Sequence, residues 1–560
     1  MNAERLLAHY ERIADAPDAI GRLRRFILDL AVRGRLVPQD AKDEPAAELL
    51  KRIAKEKLRS GNGRDFKRAS GEVGLITPPF ELPKMWVWTT FGEVQRLVRG
   101  VTYSKSDVSE TPGHDFVPVL RANNIGSQLT HDEPVYVNRQ RVSEDQFLRA
   151  GDFMIALSSG SKNLVGKAAF VPEDYQEAFG GFCGVLRLFD PSIQGFVRIF
   201  LRGDLYRSSI AAGSRGIGIN NLKTETISSL FFPIPPLAEQ HRIVAKVDEL
   251  MALCDRLEVA RAEREAARDR LSASSLARLN APDPDTFQAD ARFVLNALPA
   301  FTARPDQIKQ LRQTILNLAV RGMLVPQDPE DEPVQALLKR VGVNPSAKEA
   351  SAVENVPSTW RCLALDQLAI VGTGTTPPRG IAEYYSPPAI PWVTSGETRT
   401  PFILGTTQFV SERALKETSL KLYPCGTLIV AMYGQGKTRG QITELCIEAT
   451  TNQACAAIVL KLNDEIHRRY IKIYFQKIYD EIREEAAGGA QPNLNLAKVK
   501  ATTIPLPPLP EQHRIVTKVD ELMALCDQLE ASLNDSSATR SRLLGSLLAE
   551  SLEPAEPVAA

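Results

Sequence analysis

The sequence has few cysteines and no closely spaced pair of them. Seven cysteines are spread over 560 residues without any CxxC spacing, and two of them, Cys254 and Cys526, stand in copies of one repeated segment. Zinc sites need grouped ligands and disulfide frameworks are typical of small secreted chains, so we expect free thiols and no bound metal. Uncharged apolar runs of 18 residues are also missing, which predicts no transmembrane helix or signal peptide and favours a cytoplasmic protein.

Net charge is absent as well. Lys plus Arg and Asp plus Glu both total 68, so composition favours neither a nucleic-acid partner nor a membrane surface. A local basic surface can still exist, because affinity for phosphate depends on where the charges lie. A chain of 560 residues with 43% hydrophobic and 24% charged residues is of ordinary globular composition and long enough for three or four domains.

Recognisable catalytic motifs are lacking too. Gly436-Lys437-Thr438 follows a strand-like run, but Ala431 stands where a phosphate-binding loop needs its first glycine. TPPF at 77–80 resembles the target-base loop of amino-group DNA methyltransferases, but no strand precedes it and no glycine-rich S-adenosylmethionine loop stands upstream, so a proline-rich turn is favoured. Six histidines form no HExxH motif. We therefore expect no catalytic site in this chain.

What the sequence does contain is two internal repeats. EQHRIVAKVDELMALCDRLE from Glu239 and EQHRIVTKVDELMALCDQLE from Glu511 agree at 18 of 20 positions. Upstream, LAVRGRLVPQDAKDEPAAELLKR from Leu30 is matched by LAVRGMLVPQDPEDEPVQALLKR from Leu318. The two offsets are 272 and 288, so a constant frame encloses two inserts of different length.

The two inserts differ in sequence but are organised alike. Each opens on Pro-x-x-Trp, at Pro83 and Pro357, and continues through short apolar runs such as DFVPVLRANNI, GDFMIALSSGS and FCGVLRLF, or AIPWVTSGET, CGTLIVAMYGQGK and ACAAIVLKL. Such runs, bounded by turn residues, predict the strands of a compact α/β or α+β domain. Each insert closes with a helical stretch and a proline-rich segment that precedes the repeated helix.

The repeated segments predict long helices with a heptad pattern. Apolar residues recur at Ile243, Val247, Leu250, Cys254 and Leu257, and at the matching positions 515, 519, 522, 526 and 529, followed by 533. A heptad stripe needs a second apolar stripe to bury it, and the simplest partner for each helix is its copy. We expect a paired-helix spacer between the two inserts.

Polar residues of the long helices are repeated as faithfully as the apolar ones, although the inserts have diverged. We interpret this as one exposed surface presented twice to one partner, in a chain that imitates a two-fold symmetric dimer. A recent duplication that drifted little is the alternative. The candidate docking residues are Glu239, Arg242, Lys246, Asp248, Glu249, Glu511, Arg514, Lys518, Asp520 and Glu521.

These features together closely resemble the specificity subunit of type I restriction-modification systems. The residues that carry the resemblance are PPLxEQHRIVxKVDELMALCDxLE after each insert, LAVRGxLVPQD before it and the Pro-x-x-Trp openings, from about Arg24 to about Leu548. The resemblance implies an α+β chain with two α/β target-recognition domains in pseudo-two-fold arrangement, joined by two long conserved helices that form an antiparallel coiled-coil spacer.

The domain boundaries expected on this basis are as follows. An N-terminal helical region at 1–75 precedes a first recognition domain at 76–236 and a central long helix at 237–280. A linker with a helical repeat at 281–350 leads to a second recognition domain at 351–508, a C-terminal long helix at 509–552 and a tail at 553–560.

The resemblance also implies partners. The chain would recognise a bipartite site in double-stranded DNA, one half-site for each domain, and would dock two copies of a DNA adenine methyltransferase subunit, which restriction and translocase subunits would join. S-adenosylmethionine would belong to the methyltransferase, and ATP and Mg²⁺ to the restriction partner, so this chain would be non-catalytic and hold no cofactor. Two alternatives stay open: the recognition subunit of another restriction class with a fused methyltransferase-nuclease partner, and an assembly scaffold that does not bind DNA.

Candidate DNA-binding residues follow from the chemistry of base edges. Arg suits guanine, Asn or Gln suits adenine, and Lys, Ser and Thr suit phosphates. The loop candidates of the first insert are Thr102, Lys105, Arg121, Asn123, Asn124, Ser158, Ser159, Lys162, Lys167, Arg215, Asn220 and Asn221, and those of the second are Thr376, Arg379, Thr394, Ser395, Tyr433, Gln435, Lys437, Arg439, Gln491, Asn493 and Asn495. The stretch YGQGKTRG from Tyr433 is favoured most, because its glycines permit close approach of the backbone to DNA.

Overall fold

Two compact units make up the protein. The computed structural model describes residues 15–60, 78–159, 164–213, 220–281, 283, 285–344, 356–434, 438–479, 481 and 494–551. One unit comprises Met1–Glu263 with Ser537–Ala560, and the other comprises Arg264–Ser536. None of the described helices combines the length and apolarity needed to cross a bilayer.

The first unit combines frame helices with a β-rich insert. Its elements, in chain order, are α1 (Ala19–Val32), α2 (Ala46–Ser60), β1 (Val87–Thr90), β2 (Gln95–Arg99), β3 (Val108–Ser109), β4 (Phe116–Leu120), β5 (Val135–Asn138), β6 (Phe153–Ala156), β7 (Ser158–Ser159), β8 (Ala168–Phe170), β9 (Ala178–Phe179), β10 (Cys183–Leu188), α3 (Gln194–Arg202), α4 (Asp204–Gly213), β11 (Asn220–Asn221), α5 (Thr224–Ser228), β12 (Phe231–Ile234) and α6 (Leu237–Asn280). The main sheet is antiparallel with the order β2-β10-β6-β8, and a second sheet has the order β3-β5-β4-β9. A ribbon of β1 and β12 closes the insert, so its two ends meet beside the frame.

The second unit repeats this plan with a different insert. It contains the end of α6, followed by α7 (Phe287–Asn296), α8 (Leu298–Phe301), α9 (Pro305–Val320), α10 (Val334–Arg340), β13 (Arg361–Ala364), α11 (Leu365–Leu368), β14 (Ala369–Thr373), β15 (Ile390–Val393), β16 (Phe402–Ile403), β17 (Phe409–Val410), α12 (Glu412–Glu417), β18 (Leu428–Ala431), β19 (Ile442–Leu445), β20 (Thr450–Thr451), β21 (Cys455–Leu460), α13 (Glu465–Lys477), α14 (Leu496–Ala501), β22 (Thr503–Leu506) and most of α15 (Leu509–Glu550). The sheets have the orders β14-β21-β18-β19-β16 and β17-β15-β20, and β13 pairs with β22.

The strands expected from apolar runs are present. The six runs quoted above contain β4, β6, β10, β15, β18 and β21, and RGQITELC contains β19. The central strands β6 and β18 are buried throughout, as is typical of continuous apolar runs without alternation. The prediction of α+β inserts is confirmed.

A repeated glycine joins each frame to its insert. Gly34 and Gly322 both follow a frame helix in the left-handed backbone region, with φ of 68° and 70°, which terminates a helix at little cost only for glycine. A Cβ atom at Gly34 would lie 2.5 Å from the Pro83 side chain, and one at Gly322 would lie 2.4 Å from Pro357. The glycine of the LAVRG repeat and the proline of Pro-x-x-Trp are therefore one packing unit.

The heptad stripe of each long helix is buried differently from our expectation over its first half. Ile243, Val247 and Cys254 are buried in the core of the first unit, against α1 and the helix α3. In the second unit Ile515, Val519 and Cys526 pack in the same way against α9 and α13. Burying each such side chain contributes about 1.5–3 kcal/mol. The expected partner, a copy of the same helix, is thus replaced in these turns by the residues of each helix's own unit.

Candidate nucleic-acid interface

In the first insert, several strands end together and bring four loops to one place. The pairing of Arg99 with Gly184 and of Ala156 with Cys183 puts the end of β2, the end of β6 and the start of β10 side by side. Parallel β4 and β9 add the loop that begins at Arg121. We call residues 101–102, 121–124, 157–159 and 180–182 the first strand-end surface.

Backbone hydrogen bonds fix these loops. The N–H of Val101 donates to the carbonyl oxygen of Phe179 at 2.7 Å, and that of Leu157 donates to Phe182 at 2.9 Å. The loop after β2 passes so close to β9 that a Cβ atom at Gly100 would lie 2.1 Å from the carbonyl oxygen of Gly180. The surface is therefore rigidly held by the sheets beneath it.

The second insert has the same arrangement with other side chains. Thr375 donates to the carbonyl oxygen of Thr451 at 3.0 Å and Met432 to that of Ala454 at 2.8 Å, as Val101 and Leu157 do in the first insert. A Cβ atom at Gly374 would lie 1.6 Å from the carbonyl oxygen of Thr451. We call residues 375–376, 394–397, 432–434 and 452–454 the second strand-end surface.

Strand registers make several candidates equivalent between the two surfaces. Arg99 pairs with the second residue of β10, and Thr373 pairs with the second residue of β21. Thr102 and Thr376 each follow three residues later, so they are equivalent. Arg121 directly follows β4 and Thr394 directly follows β15, so these two residues are equivalent. Ser158 and Tyr433 are equivalent because each stands two residues after the end of its strand, β6 or β18. The same three positions thus carry Thr, Arg and Ser in one insert and Thr, Thr and Tyr in the other.

Exposure separates the described candidates. Exposed side chains belong to Thr102, Lys105, Arg121, Asn123, Lys167, Asn221, Arg379 and Tyr433, and half-buried ones to Ser159, Thr376, Thr394, Ser395 and Arg439. Ser158 is buried at 9% exposure. Burial raises the pKa of Tyr103, which adjoins Thr102, while the charge of Arg121 opposes the rise.

Two asparagine candidates have structural roles instead. Asn124 is 1% exposed, accepts from the N–H of Arg121 and donates to the carbonyl oxygen of Asp132 at 2.7 Å, so it holds its loop together. Asn495 caps α14 by accepting from the N–H of Lys498, a frequent use of Asn at a helix start. The burial of Asn124 leaves no exposed amide for a base contact, whereas a base contact at the half-buried Asn495 stays a prediction beside its capping role.

Several candidates lie outside the described residues. These are Lys162, Arg215, Gln435, Lys437, Gln491 and Asn493, together with the side chain of Asn220. They stay predictions, including most of the favoured stretch from Tyr433.

Two residues of the surfaces were not expected from sequence. Phe182 is 71% exposed at the start of β10, although large apolar side chains are usually covered. Gln453 accepts from the hydroxyl of Thr376 at 2.5 Å in the second insert. Phe182 is the first residue of the predicted run FCGVLRLF, and Gln453 stands immediately before ACAAIVLKL, so both positions were assigned to strands and their edges instead of to DNA-contacting loops.

The repeated helices show a buried carboxylate at their start. Glu239 is 1% exposed, accepts from the indole N–H of Trp86 at 3.0 Å and accepts from Gln39 at 2.6 Å. Glu511 is equally buried and accepts from Trp360 and Gln327. Burial raises the pKa of both carboxyl groups, and these hydrogen bonds oppose the rise. The expectation that Glu239 and Glu511 face outward is wrong.

Two further pairs of docking candidates are tied to their own units. Arg242 forms a bidentate pair with Asp43, at 2.6 and 3.2 Å, and Arg514 does so with Asp331. Asp248 contacts Arg198, and Asp520 contacts Arg469. Much of the repeated polar pattern is therefore explained by contacts with other repeated residues rather than by an outside partner.

An exposed stripe nevertheless remains on each helix. Lys246 and Glu249 pair with each other one turn apart, and Leu253, one turn further, is 43% exposed. Lys518, Glu521 and Leu525 repeat this, with Leu525 at 40% exposure. We call these two sets the docking stripes.

Comparison with known proteins decides the family. The family described as "Type I restriction modification DNA specificity domain" matches residues 83–264 and 357–536. The chain belongs to this family. It is a type I specificity subunit, and each of its inserts is a domain for DNA recognition.

Curated specificity subunits are similar over nearly their whole length. The EcoKI specificity subunit of Escherichia coli K12 is 26% identical over 84% of this chain and 89% of its own. The EcoEI specificity subunit of Escherichia coli is 26% identical over 94% of this chain and 93% of its own. The solved HsdS subunit from Thermoanaerobacter tengcongensis has 19% identity and a TM-score of 0.43, with 84% of this chain and 97% of that one covered.

Membership of the family sets the general role of this specificity subunit. Such subunits act with DNA and with methyltransferase and restriction subunits, and are known as non-catalytic. Among the residues that the structure describes, no group of three or more His, Cys, Asp or Glu side chains could hold a metal ion.

Proposed function

We propose that the chain recognises a bipartite DNA target, with one half-site contacted by each strand-end surface. The observation that carries this proposal is the equivalence of Thr102 with Thr376, Arg121 with Thr394, and Ser158 with Tyr433 on two copies of one scaffold. The same scaffold with different side chains is what two unlike half-sites require, because base identity is distinguished by side-chain donors and acceptors in the major groove.

The chemistry of the two surfaces differs in charge. Arg121 is exposed and offers the bidentate donor geometry that suits the O6 and N7 atoms of guanine. Its counterpart Thr394 is a short hydroxyl, and Tyr433 adds an aromatic face that is 39% exposed. The first half-site is therefore expected to include a guanine opposite Arg121, whereas the second depends more on hydroxyl and aromatic contacts.

The docking stripes support the binding of two methyltransferase subunits. Glu239, Arg242 and Asp248 make contacts within the chain. The two docking stripes consist of the remaining repeated residues, which are identical on the two long helices. One partner surface can therefore engage each stripe in the same way. In this proposal the partner supplies S-adenosylmethionine and the methylation of adenine N6, a restriction partner supplies ATP and Mg²⁺, and this chain supplies no catalytic group.

The test is the pattern of methylated adenines in a host genome. The chain is co-expressed with a type I methyltransferase subunit from the same genome, in a host that lacks such systems. We expect methylation at one motif of two half-sites separated by a fixed gap, and its loss when this chain is omitted. A methylation pattern that does not depend on the chain would contradict the proposal and favour an assembly scaffold. A single continuous motif would contradict the two-surface assignment.

A further inference from the structure

The first insert contains a groove with a basic wall. Its volume is about 1180 Å³, and it lies against β8, the helices α3 and α4, and the loop at residues 126–129. Four cationic side chains line it: Lys167, Arg198, Arg202 and Arg207. Tyr206 forms part of its floor, with its hydroxyl donating to the carbonyl oxygen of Gly166 at 2.7 Å.

Most of this positive charge is not neutralised within the unit. Arg198 contacts Asp248 at 3.2 Å. Across the part of the chain that the structure describes, Lys167, Arg202 and Arg207 have no ion pair and no side-chain hydrogen bond. Burial lowers the pKa of Arg202, and the charges of Arg198 and Arg207 lower it further. Guanidinium groups that repel one another in a concave site favour an anionic ligand.

Asp248 lies beside the basic wall, in contact with Arg198 and near Arg202, and two further acidic residues lie near the opposite wall. Burial is the main cause of the raised pKa of the Tyr175 hydroxyl, and the nearby charges of Glu173 and Glu177 raise this pKa further. Glu177 contacts His131 at 3.1 Å. An anion would therefore be held at the end formed by α3, α4 and Lys167 and be disfavoured at the Tyr175 end.

We propose that this groove binds phosphate groups of the DNA backbone beside the first half-site. The inference rests on the proposed function. Lys167, which lines the groove, is joined to β6 because its carbonyl oxygen accepts from the N–H of Ala156 at 3.0 Å. Ala156 stands two residues before Ser158 of the first strand-end surface, so the groove adjoins that surface. Arginine is suited to phosphate because its planar fork of donors matches the phosphate oxygens.

This basic wall has no counterpart in the part of the second insert that the structure describes, which argues against a protein that docks on both frames. Gly440 and Gln441 make the backbone contacts with Ala431 that Gly166 and Lys167 make with Ala156, so Gln441 replaces Lys167. Arg469 corresponds to Arg198 through its contact with Asp520, and Ile473, four residues later, stands in place of Arg202 and is buried. A partner engaged twice in the same way would meet the basic groove only once.

The experiment measures DNA affinity of the complex with the methyltransferase. The duplex carries the motif found by genome methylation, and binding is measured from about 50 to 200 mM salt, over which phosphate contacts dominate the change in affinity. The test variant is R202Q/R207Q. Its control is K55Q/K84Q, which removes the same charge from two exposed lysines of the first unit outside the groove.

We expect R202Q/R207Q to weaken binding and to reduce the slope of log affinity against log salt by about 2, since each lost phosphate contact removes about 0.9. The methylated motif should be unchanged, and the control should keep the wild-type slope. If the wild-type complex methylates a split motif but the variant keeps the wild-type slope, this inference fails while the proposed function stands. If the wild-type complex methylates no split motif, both fail.

Two further measurements distinguish DNA phosphate from a free anion and from an acidic protein partner. Inorganic phosphate is titrated into the full chain, and assembly with the methyltransferase is measured for both variants. Phosphate binding that is lost in R202Q/R207Q without any change in the DNA salt slope would show a site for a free anion and overturn the DNA assignment. Loss of assembly with the methyltransferase in R202Q/R207Q but not in K55Q/K84Q would show an acidic protein partner and overturn it as well.

Discussion

The indole N–H of Trp86 donates to the buried carboxylate of Glu239 at 3.0 Å, and Trp360 donates to Glu511 at 2.9 Å. In both units the tryptophan belongs to the opening of the insert, and the glutamate belongs to the first turn of the long helix. This pair therefore fastens a variable domain to a constant frame, which explains why the frame can be kept while the domains diverge.

Replacing Glu239 by Gln should destabilise the first unit. One carboxylate oxygen accepts from Trp86 and the other from Gln39, whereas an amide offers one acceptor and turns a donor toward the second partner. We expect a loss of about 1–3 kcal/mol in the free energy of unfolding, measured by urea denaturation. Lys246→Gln, on the exposed side of the same helix, is the control. Equal unfolding of the two variants would contradict the fastening role.

The same carboxyl groups predict a pH dependence. Burial raises the pKa of Glu239 and Glu511, so the folded state holds these protons more tightly than the unfolded state. Their contribution to stability is full below the ordinary glutamate pKa of about 4.3 and is lost as pH rises through the raised pKa. The difference in unfolding free energy between wild type and E239Q/E511Q should therefore decrease as pH rises through that window. An increase would mean that the pKa is lowered instead.

Each docking stripe should bind one methyltransferase subunit. Leu253→Asp and Leu525→Asp place a charge in an apolar contact of one stripe each, so each single variant should bind one copy instead of two. The double variant should bind none. Particle mass in solution measures the stoichiometry, and Leu58→Asp, at an exposed leucine outside the stripes, should keep two copies. Retention of two copies by the double variant would show that the partner docks elsewhere.

Lengthening the central helix should change only the spacing of the target. The contacts of Arg24 with Asp255 and Glu258 precede the insertion point, so four residues inserted after Glu258, about one helical turn, keep these contacts and displace the contact of Arg261 with the carbonyl oxygen of Ala16. We expect the same two half-sites with a different gap, or loss of assembly if the apolar stripe cannot re-register. Genome-wide methylation mapping distinguishes these outcomes. Altered half-site sequences would contradict the spacer role.

The sequence predicted elements better than it predicted surfaces. Strands such as β6 and β18 could be predicted because short continuous apolar runs bounded by turn residues are typical of buried strands. The error at Glu239 came from treating charge as a sign of exposure. Glu239 stands four residues before Ile243, on the buried stripe itself, so helical periodicity indicated its burial. Asn124 could not be assigned in this way, because its partners at Arg121 and Asp132 depend on a loop conformation.

The central claim is that each strand-end surface recognises one half-site, and the most direct test is to change one surface at a time. The variants T102A/R121A and T376A/T394A are co-expressed with the methyltransferase, and methylated adenines are mapped. We expect the first to relax only one half-site and the second only the other, since a base contact contributes about 1–3 kcal/mol of discrimination. Relaxation of both half-sites by one variant, or of neither half-site by both, would contradict the account.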